Sequence, residues 1–211
     1  MYINPAFKTD DRDALAFVRE RSFGAVVAVD GAQPVAAHVP LLLIEQDGAV
    51  RLEAHVAKAN PLHQVIAAAP RVLVTVTGAD AYISPDWYVS ENLVPTWNYS
   101  AVHLSGTAHV LPPERTHAHV EAISLDREER LRPKRPWSTA KMSDRHLQMM
   151  LAAIVAIEIR VDRIETVFKL SQNRSAIDAH EVARMLDWRG SPSEKSVARD
   201  MRGVLRFGKP A

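Results

Sequence analysis

The 211-residue chain has no cysteine, which removes disulfides, thiolate nucleophiles and Cys-ligated zinc or iron–sulfur centres. A reducing compartment fits that composition. An excess of charge of one sign is also missing: 26 Lys and Arg against 25 Asp and Glu leave a formal net charge of +1. Any nucleic-acid contact must therefore come from a local basic patch rather than from a global field. No run approaches the roughly 20 apolar residues of a membrane span. The opening residues Met1-Tyr2-Ile3-Asn4-Pro5 lack a basic segment followed by an apolar stretch, so the expectation is a cytoplasmic protein with no membrane partner. Gly-rich phosphate loops, a Gly-x-Ser-x-Gly elbow and a His-Glu-x-x-His pair are absent as well, which excludes the common nucleotide and hydrolase motifs.

What is present reads as an ordinary folded protein, 47% apolar and 24% charged, long enough for one well-filled core. Asp10 and Asp13 open a short helix with Ala14, Leu15, Phe17 and Val18 on one side and Gly24 just past its end. Three β-like runs follow, 25–29, 35–44 and 50–56, separated by turn residues including Asp47-Gly48. Asn60-Pro61 starts a helix through Ile66, and 72–76 is a fourth strand that Gly78 is expected to end. The stretch 82–99 is irregular yet aromatic, as expected of an ordered, working loop. A fifth strand at 101–110, helices at 113–131 and 143–155, a sixth strand around Ile157, Ile159 and Val161, and helices at 179–188 and 193–201 complete the chain. Six short antiparallel strands are enough to close a small barrel with helices outside it, a mainly β, α+β fold.

Three segments carry candidate chemistry. In 53–61 a strand ends and a helix begins. Lys58 beside that helix start offers the fixed cation and N–H donors a phosphate needs, although Asn60 as a plain helix cap with Lys58 solvated accounts for the local pattern better. In 94–99 the ring of Trp97 stands among Thr96 and Asn98, as a flavin ring would require, although Trp97 in the core with Asn98 turning the chain explains it too. In 169–174 five of six residues are polar where the sixth strand ends, which suits a ligand rim or a solvated turn equally.

Taken together these strings resemble the PaiB-type family of FMN-binding negative transcriptional regulators. The match runs through Met1-Tyr2 with Pro5 and Phe7, His38-Val39-Pro40, 55–61, 81–85, Trp87-Tyr88, 94–99 and 169–173; the 112–145 region matches poorly. The resemblance implies a six-stranded antiparallel split β-barrel related to pyridoxine-phosphate-oxidase-like flavoproteins over 1–175, with a helical extension over 176–211 packed on it. It implies a homodimer with FMN at the subunit interface. Carried over by position, Lys58 and Asn60 would meet the FMN phosphate and ribityl chain with His55 beside them. Thr96, Trp97 and Asn98 would line the ring, and Lys169, Gln172 and Asn173 would close the site. His38, on a central strand, would pass under the flavin or be a hydrogen-bonded core histidine. The function implied is a flavin-based sensor or negative regulator of transcription, the alternative being an FMN-dependent oxidoreductase; no side chain declares itself a catalytic acid, base or nucleophile.

Other signals point less far. His103 and His109 lie six apart on a strand, and His117 and His119 at i and i+2 of a helix do not share a face, so solvated histidines rather than metal ligands are expected. The tail after Asp178 can be read as helix-turn-helix, with Lys195, Arg199, Arg202, Arg206 and Lys209 as a DNA footprint. A helical pair capping the barrel end, with Glu194 and Asp200 interrupting the basic face, is the favoured reading.

Overall fold

A computed structural model describes residues 1–2 and 4–206, with side chains to 204. The first helix, α1 (Asp11–Arg21), begins where Asp10 Oδ1 accepts from the Asp13 amide at 2.8 Å, and it carries acids in its first turn and arginines in its last. Both arrangements suit the helix dipole. Ser22 ends it in the left-handed region (φ 41°), donating to the Val18 carbonyl at 2.7 Å. Gly24 is thus not the stop. It lies within β1 (Phe23–Asp30), where an added Cβ would come 2.5 Å from the Thr75 carbonyl oxygen.

Strand β1 pairs antiparallel with β2 (Gln33–Pro40), and β3 (Leu42–Gln46) with β4 (Ala49–Ala57). The second hairpin turns on Asp47-Gly48, both at positive φ (52° and 76°), the conformation that matches the twist of adjoining strands and that glycine adopts without strain. The run 35–44, expected as one strand, is two. Pro40 has no N–H to continue a ladder, Leu41 donates instead to the Ser22 carbonyl at 2.9 Å, and the chain changes partner from β1 to β4. That break makes seven strands where six were expected.

After α2 (Leu62–Ala68) come β5 (Arg71–Ile83), β6 (Thr96–Val110), α3 (Pro113–Glu128), α4 (Asp144–Ala152), β7 (Ile154–Lys169), α5 (Ala176–Arg189) and α6 (Pro192–Arg206). The hydrogen-bonded order is β2-β1-β5-β6-β7-β4-β3. The fold is mainly β, an antiparallel sheet with peripheral helices, as expected. Strand β5 runs on past Gly78, and β6 and β7 start earlier or extend further than their apolar cores suggested.

The chain divides into two units, Met1–Ala14 with Thr77–Val102 and Glu165–Ala211, and Leu15–Val76 with His103–Ile164. In the second unit Val26, Leu41, Leu52, Leu104, Ile157 and Ile159 are fully buried, and β2 comes against β4 although the two are not ladder neighbours. In the first, Ile83, Tyr88 and Leu170 share a core with Val182 and Leu186 of α5 and Met201 of α6. Among the described residues no helix is long and apolar enough to cross a membrane.

Candidate functional site

In the second unit β4 places Glu53 and His55 on one face, two residues apart, and ends at Ala57. The Lys58 amide donates to the Ala153 carbonyl at 2.8 Å, which fixes the backbone while the side chain stays exposed. Asn60 does act at the helix start: its Oδ1 accepts from the Leu62 amide at 2.9 Å, and its carbonyl meets His63 Nδ1 at 2.7 Å. Lys58 and His63, with Thr116, His117 and Gln148, line a cavity of about 670 Å³ whose apolar wall includes Leu151 and Val155. No side chain caps the amino end of α3, whose residues Pro113, Glu114 and Thr116 line the same cavity.

Beside this lies a chain of polar contacts that the sequence did not announce. Arg115 Nη2 donates to Glu53 Oε1 at 3.3 Å, Glu53 Oε2 meets His119 Nδ1 at 3.0 Å, and His119 Nε2 meets His55 Nδ1 at 2.9 Å. A carboxylate only accepts, so a neutral His119 carries its proton on Nδ1, accepts a hydrogen bond at Nε2 from His55 Nδ1–H, and leaves a lone pair on His55 Nε2. Burial lowers both pKa values. For His55 the charge of His119 lowers it further; for His119 the pull of Glu53 opposes burial and Arg115 reinforces it. The expectation that His119 is solvated is therefore corrected: it is 2% exposed, anchored by a buried glutamate. His117, on another face of α3, meets Thr139 Oγ1 at 2.9 Å. His38 stands opposite Ala25 on β2, exposed, its ring stacked 6.3 Å from that of Phe23. It is not a core histidine.

In the first unit β6 opens with Thr96-Trp97-Asn98, and strand alternation sends their side chains to different faces. Asn98 is fully buried, its Nδ2 donating to Ser171 Oγ at 2.9 Å and its Oδ1 without a partner. Trp97 is 53% exposed, edge-on to Tyr82 at 6.0 Å. Lys169 donates to the Thr96 hydroxyl and lies 5.9 Å from the centre of the Phe7 ring. Gln172 turns back on its own turn, accepting from the Leu170 amide at 2.7 Å and donating to the Phe168 carbonyl. Thr96, Asn98, Lys169 and Asn173 meet in one pocket of about 240 Å³, together with Tyr88, Ser171 and Arg174; Trp97 and Gln172 do not line it.

Sequence reasoning did not single out Glu53, Arg115, Tyr88, Arg174 or Asp178. The last had a signal, since Ser175-x-x-Asp178 before an apolar run has the spacing of a capping box. The buried Asp178 carboxylate accepts from the Val89 and Ser90 amides (2.8 and 3.0 Å) and from the Ser90 and Ser175 hydroxyls (2.8 and 2.7 Å). These bonds, those of Ser90 and Ser175 foremost, hold its pKa down at about 2.

The donor sets suit FMN. A cavity in the size range of cofactor sites has a lysine for an anion, and the buried Asn98 Oδ1 lacks the donor that a polar ligand edge would bring.

Comparison with known proteins agrees. The family described as "Putative FMN-binding domain" matches residues 1–163. The chain is 38% identical over 207 residues to the "Protease synthase and sporulation protein PAI 2" of Bacillus subtilis (strain 168), covering 98% of this chain and 99% of that protein. Among solved structures, an FAD and heme binding protein from Mycobacterium smegmatis superposes with a TM-score of 0.55 at 17% identity, over 78% of this chain and 73% of that one. The flavocytochrome Anf3 from Azotobacter vinelandii does so with 0.52 at 15%, over 77% and 69%. At such identities these two share the fold. The full-length identity to PAI 2 and the family match carry more, and the chain belongs to the PaiB-type family of FMN-binding proteins.

Proposed function

We propose that this protein binds FMN as a homodimer and acts as a flavin-based sensor in the negative control of transcription. The observation that carries the flavin site is Lys58 at the 670 Å³ cavity beside the uncapped amino end of α3. A cation at the rim of such a cavity suits a phosphate. In this reading Lys58 and Asn60 serve the phosphate and ribityl chain, with His55 beside them and His38 under the flavin. Thr96, Trp97 and Asn98 line the ring, and Lys169 and Asn173 close the site, with Gln172 shaping the turn that presents them. Bound FMN would supply reversible one- and two-electron chemistry.

A small barrel's interior is filled by side chains, which is why a second subunit is needed to wall the flavin. A monomer in light scattering at micromolar concentration, with FMN bound, would refute the dimer. The α5–α6 pair caps the sheet end in this reading rather than reading DNA.

One observation favours a second reading, an FMN-dependent oxidoreductase. The Glu53–His119–His55 chain holds a neutral imidazole with a free Nε2, a group able to accept a proton.

Titration with FMN and with riboflavin tests the site. FMN is expected to quench on binding and to raise the melting temperature. Lys58→Ala should weaken FMN by roughly tenfold or more while leaving riboflavin nearly unchanged, because only FMN carries the phosphate. Equal loss for both ligands would take Lys58 out of the phosphate site. Anaerobic addition of reduced nicotinamide nucleotides then separates the two functions: bleaching of the flavin at turnover rates supports the oxidoreductase.

A further inference from the structure

The 240 Å³ pocket of the first unit has an unusual charge pattern. Its lining is neutral except for Lys169 and Arg174, and no carboxylate lines it among the described residues. Both cations sit by aromatic rings, Lys169 5.9 Å from the centroid of Phe7 and Arg174 5.3 Å from that of Tyr88. Neither forms an ion pair with a carboxylate among the described residues; Lys169 bonds the neutral Thr96 hydroxyl. Arg174 is placed by its backbone, whose amide donates to the Ser171 carbonyl at 2.9 Å. Two cations without a counter-ion repel one another, and an anion between them would relieve that repulsion.

A second observation is independent of charge. The only buried side-chain polar atoms without a hydrogen-bond partner among the described residues are the Tyr88 hydroxyl and Asn98 Oδ1, and both residues line this pocket. Buried polar groups are seldom left unpaired, and where they are, a ligand or water is the usual partner. Swapping the amide ends of Asn98 brings no relief: one end still lacks a partner, and Oδ1 would then face Met201 Sδ, an acceptor that Nδ2 now meets at 3.4 Å. The two orphans ask for different things. A phenol can donate to an anion, whereas Oδ1 can only accept and so needs a ligand O–H or N–H.

We propose that this pocket binds a small anion carrying a neighbouring hydroxyl, with the anionic head between Lys169 and Arg174 and accepting from the Tyr88 hydroxyl, and the ligand hydroxyl donating to Asn98 Oδ1. Two sources share that chemistry: a free 2-hydroxycarboxylate, or the phosphate and ribityl end of FMN itself, which would then lie here instead of at Lys58 and Asn60. The inference rests on the flavin reading only for the second source. The pocket's volume lies below the range typical of sites that take a whole cofactor.

The experiment is calorimetric titration of the full-length protein, flavin-free and FMN-loaded, with L-lactate as the probe anion and propane-1,2-diol as its uncharged counterpart. FMN and riboflavin are titrated into the flavin-free protein alongside. Arg174→Ala removes one cation, and Tyr88→Phe removes only a hydroxyl and keeps the ring, so that loss of folding is not mistaken for loss of the site. If the anion is free, lactate binds the FMN-loaded protein, weakens at least tenfold in Arg174→Ala and severalfold in Tyr88→Phe, and the diol does not bind. If the anion is the cofactor's own, lactate binds only the flavin-free protein, and Arg174→Ala weakens FMN at least tenfold while sparing riboflavin. Either result supports an anion pocket and says which source fills it. The proposal is overturned if lactate fails to bind both forms of the wild type and Arg174→Ala keeps its preference for FMN over riboflavin. It is equally overturned if lactate binds Arg174→Ala as tightly as the wild type. Should neither flavin bind the wild type, the cofactor reading falls, and the lactate arm on flavin-free protein still decides this one.

Discussion

At His119 two influences act against each other: burial disfavours the imidazolium and the Glu53 carboxylate favours it, with the net pKa lowered. His55 is lowered too, by burial first. In the unfolded chain both titrate near the ordinary value of about 6.5. Above that pH the pair is neutral in both states and contributes no pH dependence. Below it the unfolded chain binds protons that the folded chain resists, so stability falls as pH drops below about 6.5 towards the lowered folded values. Melting temperatures read by circular dichroism should therefore decline between about pH 7 and pH 5. His119→Gln, which can donate to Glu53 and accept from His55 but does not titrate, should decline less steeply. Identical slopes for the two proteins would mean that the pair carries no such load. Little of this was visible in the sequence. Alternation on a strand puts Glu53 and His55 on one face, and i, i+2 spacing separates His117 from His119, as their different partners bear out. Nothing local says that β4 and α3 bring His55 and His119 to 2.9 Å. That contact depends on two elements 64 residues apart in the chain, and only the fold supplies it.

Between elements, the buried Asp178 carboxylate ties Val89 and Ser90 to the start of α5 by three hydrogen bonds and accepts a fourth from Ser175, the cap of α5. Asp178→Asn keeps the shape but replaces one accepting oxygen by an NH₂ that faces donors. It should lower the melting temperature at neutral pH by several degrees, the usual size of effect when a buried bonding network is broken. With a folded pKa of about 2 against an ordinary value of 3.8, the wild-type carboxylate stabilises fully above the ordinary value. That advantage is lost as pH falls through about 2. The gap between wild type and variant should narrow below about pH 4, and a gap constant down to pH 2 would show that charge plays no part. The elements were legible where local chemistry decides them: Asp10 before α1, Asp47-Gly48 between β3 and β4, Ser143 before α4. They were less so where pairing decides. Gly78 looked like a stop, yet β5 continues to Ile83. Ile154 and Val155 looked like the end of a helix but begin β7, where Ile154 stands opposite Ala57 and Val155 opposite Val56. In the site, the polarity of 169–173 was legible, but not that Lys169 and Asn173 share a pocket with Thr96 and Asn98. Nor were the exposure of Trp97 and the inward turn of Gln172, since each depends on which face of a strand or turn meets the sheet.

For the molecule as a whole, the charge arrangement bears on DNA. Binding a duplex requires lysines and arginines free to displace counterions from several phosphates at once, and each such contact steepens the salt dependence. Most of the tail's described arginines are matched locally: Arg202 pairs with Asp187, Arg199 with Asp200 at 3.2 Å, and Arg189 with Glu194 at 2.5 Å, whereas Lys195 is exposed with no such pair among the described residues. Arg206's side chain and Lys209 lie outside the described residues. In the other basic stretch of the sequence, 132–135, Arg132 pairs with Glu129 at 2.5 Å and Lys134 with Glu128. Exposed pairs of this kind are weak individually, but each carboxylate cancels most of the field its partner would offer to a phosphate. Affinity for DNA is therefore expected to be low at physiological salt and indifferent to sequence, with moderate binding at low salt that falls steeply as salt rises. Fluorescence anisotropy against the protein's own upstream DNA and a scrambled duplex, at two salt concentrations and with FMN oxidised and reduced, measures this. Deleting the tail would be a poor control, because Leu186 and Met201 belong to the core of the first unit and their loss would disturb the fold. Charge reversal at exposed Lys195 and Arg199 leaves that core alone. Nanomolar, sequence-selective binding at physiological salt, abolished by Lys195→Glu with Arg199→Glu, would make α5 and α6 a DNA-reading element and overturn the proposal that they serve as a cap.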